Sequence, residues 1–146
     1  MKPTRRENLP QPPEDLRNCT DADRKIDGGA VYDLGQVKQY AKAAGKAAFN
    51  FATIKAESDL RTELGWSLDD LLGFFQLLDR RHYRCSEWCF GSGKATVAYP
   101  ADVYVMGYSR FRREEWPQQN PWNYLKFSFS EKAGTLEIFS IHPSDA

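Results

Sequence analysis

The sequence predicts an α+β domain in which N-terminal helices pack on a C-terminal antiparallel sheet. Apolar residues recur every three or four positions as far as residue 78, which is the helical period. From Arg80 onwards they alternate with polar residues, as they do along a strand. The last hairpin has one apolar face, and an apolar helix precedes it, so we expect the helix to cover that face.

Composition limits the class of protein. A chain of 146 residues with 41% hydrophobic content suits one domain with one core. We expect no membrane span, since no apolar run reaches about 18 residues, and no secretory signal. The odd number of cysteines, three, favours a reducing, cytoplasmic environment over a disulfide framework. The net charge of zero argues against a protein that coats nucleic acid, although residues 80–132 hold nine Lys/Arg against five Asp/Glu.

Residues 1–30 predict a flexible N-terminal arm. They contain four prolines, two glycines, six basic and six acidic residues, and few large apolar side chains. Such a composition buries little surface. Residues 31–146 are therefore expected to form the single domain.

The helices have recognisable ends. We predict a first helix over Tyr32–Ala44, with Asp33 at its start and Gly45 just past its end. A short strand is predicted within Lys46–Ile54, and a second helix over Lys55–Leu64. Ser67 begins the clearest helix, and Asp70 can complete a capping box with it. The apolar stripe of this helix consists of Leu68, Leu71, Leu72, Phe75 and Leu78.

Period-two alternation predicts five strands. They are His82–Cys89, Lys94–Tyr99, Asp102–Ser109, Asn123–Ser130 and Thr135–Ile141. In the last strand, regular alternation groups Ser140 with Leu136 and Ile138, and places Ile141 on the opposite face.

The polar face of the last hairpin carries candidate chemistry. Tyr124 and Lys126 point the same way, and a neighbouring cation would lower the pKa of a tyrosine that acts as an acid. The planar guanidinium of Arg84 matches the geometry of phosphate oxygens. If the segment is an extended strand, His82 lies on the same face as Arg84. Metal-free cleavage of RNA needs a base, a cation and an acid. The candidate catalytic set is Arg84, Tyr124, Lys126, His82 and His142.

The loop between residues 110 and 122 combines cations with aromatic rings, which suits single-stranded bases. Its candidate RNA-binding residues are Arg110, Arg112, Arg113 and Trp122. Purely structural roles remain open as alternatives. Arg84 and His82 could form surface salt bridges, and the loop could pack its tryptophans against the protein. Asp102 is expected to hold a basic residue on a neighbouring strand. Zinc bound by His82, Cys85 and Cys89 is disfavoured, because the histidine would point away from both cysteines.

The order of these motifs resembles the MqsR-type toxins, which are mRNA interferases of type II toxin–antitoxin systems. The matching stretches are Leu34-x-x-Val37-Lys38, Tyr83-Arg84-Cys85, Asp102-Val103-Tyr104, Tyr124-Leu125-Lys126-Phe127 and Leu136-x-Ile138-x-Ser140. Together they span roughly residues 31–142.

The resemblance implies a RelE-like fold and ribosome-independent cleavage of single-stranded mRNA without a cofactor, restrained by a cognate antitoxin. It places the family's basic residue on Arg84 and its sheet tyrosine on Tyr124. The free protein is expected to be a monomer or a dimer. Ala101 replaces a polar residue of the family, so a non-catalytic RelE-like binding or regulatory module is the alternative.

Overall fold

The structure is a computed structural model that describes residues 2–91, 97–119 and 121–144. Its α-helices within these ranges are α1 (Asp21–Arg24), α2 (Leu34–Ala44), α3 (Ile54–Asp59) and α4 (Leu68–Leu77). Its strands are β1 (Phe49–Phe51), β2 (Tyr83–Cys89), β3 (Tyr99–Met106), β4 (Tyr108–Ser109), β5 (Glu114–Glu115), β6 (Trp122–Ser130) and β7 (Thr135–Ser144). The predicted α+β class is confirmed.

The main sheet has five strands in the order β1-β7-β6-β3-β2, and β4 pairs with β5 separately. Strand β1 runs parallel to β7, so the sheet is mixed, and the prediction of a wholly antiparallel sheet is wrong. The ring of Phe49 lies 5.2 Å from that of Phe75, between centroids, and Phe49 pairs with Leu136. Burial of this aromatic side chain against α4 holds the short strand at the edge of the sheet.

Helix α4 covers the apolar face of the last hairpin, as predicted. Ser67 and Asp70 form the expected capping box. Phe74 and Phe75 are fully buried, and the ring centroid of Phe75 lies 5.2 Å from that of Phe127 on β6. The core therefore lies between this helix and the sheet.

The other helices differ from prediction at their ends. Helix α2 begins at Leu34 rather than Tyr32, because Asp33 caps it through the N–H of Gln36. The predicted helix over residues 55–64 consists of α3 and a π-helical turn, Leu60–Leu64. Gly65 ends this turn with a φ of 67°, which a glycine adopts without strain. No helix among the described residues is long and apolar enough to cross a membrane.

A β-bulge changes the faces of β7. Lys126 pairs with Ser140 but Phe127 pairs with Ile138, so Phe139 is an extra residue. The predicted faces are therefore wrong beyond this point. Ile141 lies in the core opposite Leu125, and Ser140 lies beside Lys126 on the other face.

Two strand boundaries also differ. Strand β2 begins at Tyr83, and His82 belongs to the preceding 3₁₀ turn. The predicted strand over Asp102–Ser109 is interrupted at Gly107, where the backbone of Trp116 leaves no room for a side chain. Residues 94–96 of the predicted strand Lys94–Tyr99 lie outside the described residues, and Tyr99 begins β3.

The N-terminal segment is packed against the domain, so the expectation that it buries little is wrong. Leu16 and Ile26 are buried in the core. The N–H of Ile26 donates to the carbonyl of Ser86 on the edge strand β2, at 2.9 Å. A few well-placed apolar residues thus anchor a segment whose average composition is polar.

Asp102 anchors the end of this segment rather than a basic residue. Its carboxylate accepts hydrogen bonds from the N–H groups of Val31, at 2.8 Å, and Tyr32, at 3.0 Å. The hydroxyl of Ser86 also donates to it, at 2.6 Å. The carboxylate is fully buried, and burial raises its pKa despite these bonds.

Candidate functional site

The candidate site lies on the face of the main sheet opposite α4, called here the outer face. Because Leu125 and Phe127 are buried under α4, the alternating Tyr124 and Lys126 project to the outer face. Tyr124 pairs with His142 across β6 and β7. The structure therefore brings together three of the five predicted catalytic residues: Tyr124, Lys126 and His142.

The rings of Tyr124 and His142 are stacked. Their centroids are 4.8 Å apart, their planes differ by 10°, and both side chains are half-buried. The Nδ1 atom of His142 lies 2.8 Å from the carbonyl oxygen of Pro143. Because a carbonyl only accepts, Nδ1 carries the hydrogen, and Nε2 is the unprotonated nitrogen of the neutral ring. This nitrogen can accept a proton from a bound molecule.

The pKa of Tyr124 is raised, so the predicted lowering is wrong. Burial raises the pKa of Tyr124 above its ordinary range, and the carboxylate of Glu87 raises it further. Both effects disfavour the phenolate. Tyr124 therefore keeps its proton at neutral pH and offers a hydrogen-bond donor or a general acid.

Lys126 provides a loosely held positive charge. Its ammonium nitrogen lies 3.8 Å from a carboxylate oxygen of Glu87, which is beyond hydrogen-bond distance. The side chains are 18% and 26% exposed, respectively, so the pair is partly shielded from water. An anion bound at the outer face can therefore contact Lys126 without displacing a strong ion pair.

A cavity of about 410 Å³, the outer cavity, opens beside Lys126 and His142. Lys55 and Asp59 form part of its wall and are joined at 2.8 Å, an ion pair that raises the pKa of Lys55. Cys89 also lines it, and burial raises the pKa of this thiol to about 12, so it stays protonated. The remaining wall residues are Arg24, Thr53, Ala56, Phe90, Gly91, Phe139 and Ser140.

Sequence reasoning missed Glu87, Arg24 and Lys55 at this site. The register of Glu87 depends on a bulge in β2 between Tyr83 and Cys85, which alternation alone does not reveal. Arg24 lies in the segment predicted to be a free arm, and Lys55 reaches the cavity from a helix. No local sequence signal identifies these long-range neighbours.

Arg84 is exposed at the bulge of β2. Within the described part of the chain its side chain makes no hydrogen bond or ion pair. The neighbouring Cys85 pairs with Val103, which in turn pairs with Lys126, so β3 separates Arg84 from the lysine. Arg84 does not line the outer cavity, and it lies outside the cluster formed by Tyr124, Lys126 and His142.

His82 has a structural position, so its predicted membership of the site is wrong. It is 3% exposed, its Nδ1 accepts from the N–H of Asp79, and its Nε2 bonds to the carboxylate of Glu115, both at 2.9 Å. The segment forms a 3₁₀ turn, not a strand, so His82 does not share a face with Arg84.

The predicted RNA-binding loop folds towards the other side of the sheet. Arg110 donates to the carbonyl of Gly65 and lies 3.6 Å from the carboxylate of Asp70, at the start of α4. Arg112 lies over the ring of Trp116, 4.4 Å from its centroid. These contacts place the loop away from the Tyr124 cluster.

Two further loop residues were predicted to bind RNA. Trp122 donates from Nε1 to the carbonyl of Pro117, at 3.0 Å. Arg113 is exposed and has a φ of 54°. Trp122 therefore fits the structural alternative, in which the loop packs its tryptophans down, better than it fits an RNA-binding role.

The three cysteines are free thiols. Among residues 2–91, 97–119 and 121–144, no group of three or more His, Cys, Asp or Glu side chains is arranged to hold a metal ion.

Comparison with models of known protein families, with curated proteins and with solved structures gave no match to this chain. Inference about its activity therefore rests on its own side chains and their geometry.

Proposed function

We propose that this chain is the toxin of a type II toxin–antitoxin system and a metal-independent endoribonuclease that cleaves single-stranded mRNA. The proposal follows from the resemblance to MqsR-type toxins and takes the α+β domain to be RelE-like. One observation supports it most: a histidine with a free basic nitrogen is stacked on a protonated tyrosine, beside a lysine.

The proposed reaction uses each of these groups once. Nε2 of His142 takes the proton of a ribose 2′-OH, and the 2′-oxygen attacks the adjacent phosphorus. Lys126 stabilises the negative charge on the non-bridging oxygens. The P–O5′ bond breaks, and Tyr124 gives its proton to the leaving 5′-oxygen. The products are a 2′,3′-cyclic phosphate and a 5′-hydroxyl, and proton exchange with water restores both side chains.

Arg84 has a second role in this proposal. Its exposed guanidinium at the rim of the sheet is free to hold a phosphate of the RNA next to the one that is cleaved. The proposed partners are mRNA and a cognate antitoxin in the cytoplasm, with the toxin free as a monomer or a dimer.

Mapping of RNA ends tests this function. Purified protein is incubated with single-stranded mRNA in EDTA, and the new ends are identified chemically. We expect 2′,3′-cyclic phosphates, and a loss of about 10²-fold or more in rate for His142→Ala and for Tyr124→Phe.

Lys126→Ala should also slow cleavage, because it removes the charge that stabilises the non-bridging oxygens. Lys132→Ala is its matched control, because Lys132 is an exposed lysine in the β6–β7 turn. Equal cleavage by wild type and by a His142→Ala, Tyr124→Phe double variant would reject this function.

A non-catalytic RelE-like binding or regulatory module is the second candidate. The burial of Ala101 favours it, because this position offers no polar side chain, and so does the partial neutralisation of Lys126 by Glu87. Expression without growth arrest, together with tight binding to the product of a neighbouring gene, would support this candidate over the nuclease.

A further inference from the structure

A second cavity, of about 550 Å³, lies where the N-terminal segment crosses the start of α2. We call it the arginine cavity, because Arg5, Arg6 and Arg80 all line it. Among the residues that the structure describes, the two cavities share no wall residue. Its volume is within the range of small-molecule sites, about 300–1,000 Å³.

The wall of the arginine cavity has an excess of positive charge. Within the described residues, none of its three arginines forms an ion pair with a carboxylate. Asp33 is the one acidic residue among the described residues of the wall, and its carboxylate caps α2 by accepting from the N–H of Gln36, at 3.0 Å. Guanidinium groups without a carboxylate partner favour the binding of an anion.

The backbone that carries these arginines is held in place. The N–H of Arg6 donates to the carbonyl of Val31 at 2.8 Å, and Arg5 forms an isolated β-bridge with Tyr32. Arg6 also donates from Nη2 to the carbonyl of Asp27, while its buried Nε has no acceptor among the described residues. The guanidinium of Arg6 is thus held at the wall, and the backbone holds Arg5 beside it.

Aromatic side chains form the apolar part of the wall. Tyr83 and Tyr104 both line the cavity, with ring centroids 5.6 Å apart in an edge-on arrangement. The hydroxyl of Tyr83 is hydrogen-bonded to Ser86 at 2.7 Å, which fixes the ring. Rigid aromatic walls beside guanidinium groups suit a planar base with an attached phosphate.

We propose that the arginine cavity binds a nucleotide through its phosphate, either as a free mononucleotide or as the terminal nucleotide of an RNA. The guanidinium groups of Arg5, Arg6 and Arg80 bind the phosphate, and Tyr83 contacts the base. This site lies on the helix side of the sheet and is separate from the Tyr124 cluster. It is independent of the proposed nuclease activity.

Calorimetric titration with AMP, UMP, inorganic phosphate and adenosine tests the site. We expect both mononucleotides to bind, and adenosine to bind at least about tenfold more weakly because it lacks the phosphate. Arg5→Gln and Arg80→Gln should each weaken AMP binding about tenfold. Both side chains are exposed, so these changes leave the fold intact, which circular dichroism verifies.

Arg61→Gln is the matched control, because Arg61 is an exposed arginine outside the arginine cavity. It should bind AMP as wild type does, and so should His142→Ala, which tests the nuclease instead. Tyr83→Leu should reduce the preference for AMP over inorganic phosphate.

A 5′-phosphorylated oligonucleotide distinguishes the two sources of the nucleotide. Tighter binding of the oligonucleotide than of AMP, reduced in the Arg5→Gln, Arg80→Gln double variant but not in Arg61→Gln, identifies an RNA end, and tighter binding of AMP identifies a free mononucleotide. The proposal is overturned if AMP does not bind at millimolar concentration. It is also overturned if the Arg5→Gln, Arg80→Gln double variant and the Arg61→Gln variant change the affinity for AMP by the same factor.

Discussion

Tyr124 and His142 have complementary proton states in one stacked pair. Burial of the tyrosine disfavours its phenolate, while the hydrogen bond from Nδ1 of the histidine to Pro143 leaves Nε2 open. The chemistry proposed here depends on a protonated phenol stacked on an imidazole whose Nε2 is open.

We predict that Tyr124 titrates above the ordinary range of tyrosine. Because Glu87 contributes to the raised pKa, Glu87→Gln should lower it while leaving it above that range. The measurement is the ultraviolet titration of phenolate, with Tyr124→Phe subtracted from wild type. A Tyr124 that titrates at or below the ordinary range would contradict the assigned role of proton donor.

We predict that Asp102→Ala strongly destabilises the protein. The change leaves the N–H groups of Val31 and Tyr32 buried without an acceptor, which costs about 3 kcal/mol of unfolding free energy. Urea denaturation measures this loss. Asp27→Ala is the control: the side chain of Asp27 is 89% exposed, so we expect a change within about 0.5 kcal/mol. Similar losses in the two variants would show that Asp102 is not the anchor.

At the scale of elements, the capping box of α4 is testable on its own. Ser67→Ala removes the acceptor for the N–H of Asp70, at 3.2 Å, and should cost about 1 kcal/mol. Ser58→Ala, at an exposed position of α3, should change stability by less than about 0.5 kcal/mol. Thermal denaturation of both variants decides whether the cap contributes.

Local signals predicted the elements better than their faces and partners. The capping residues Ser67 and Asp70, and the apolar stripe of α4, are short-range features that sequence displays directly. The bulge at Phe139 exchanges the faces of Ser140 and Ile141 through cross-strand pairing, which no neighbouring residue encodes. The parallel pairing of Phe49 with Leu136 depends on distant packing in the same way.

The candidate site was predictable to a similar extent. Tyr124 and Lys126 share a face because they are two residues apart on a regular strand, and His142 joins them by hairpin register. His82 does not belong to the site, because it lies in a turn that precedes β2 and not in a strand. Glu87 joined the site through the register set by the bulge in β2.

At the scale of the whole molecule, buried tyrosines make stability sensitive to alkaline pH. Burial raises the pKa of Tyr104 above the ordinary tyrosine value of about 10. Above about pH 10 the unfolded chain loses this proton while the folded chain keeps it, so the free energy of unfolding falls as pH rises. Below that pH the contribution of this tyrosine is constant.

Tyr104→Phe should make the free energy of unfolding fall less steeply with pH above about pH 10. The contribution of this tyrosine to that slope is at most about 1.4 kcal/mol per pH unit. Urea denaturation at a series of alkaline pH values measures the slope for both proteins. An identical slope in wild type and Tyr104→Phe would contradict the burial of this hydroxyl.

Single-turnover cleavage of a short single-stranded RNA in EDTA, with and without added imidazole, tests the central claim most directly. If Nε2 of His142 is the base, His142→Ala loses cleavage and imidazole restores part of it, while Lys132→Ala matches wild type. Cleavage by His142→Ala at the wild-type rate, or no cleavage by the wild-type protein, would contradict the claim.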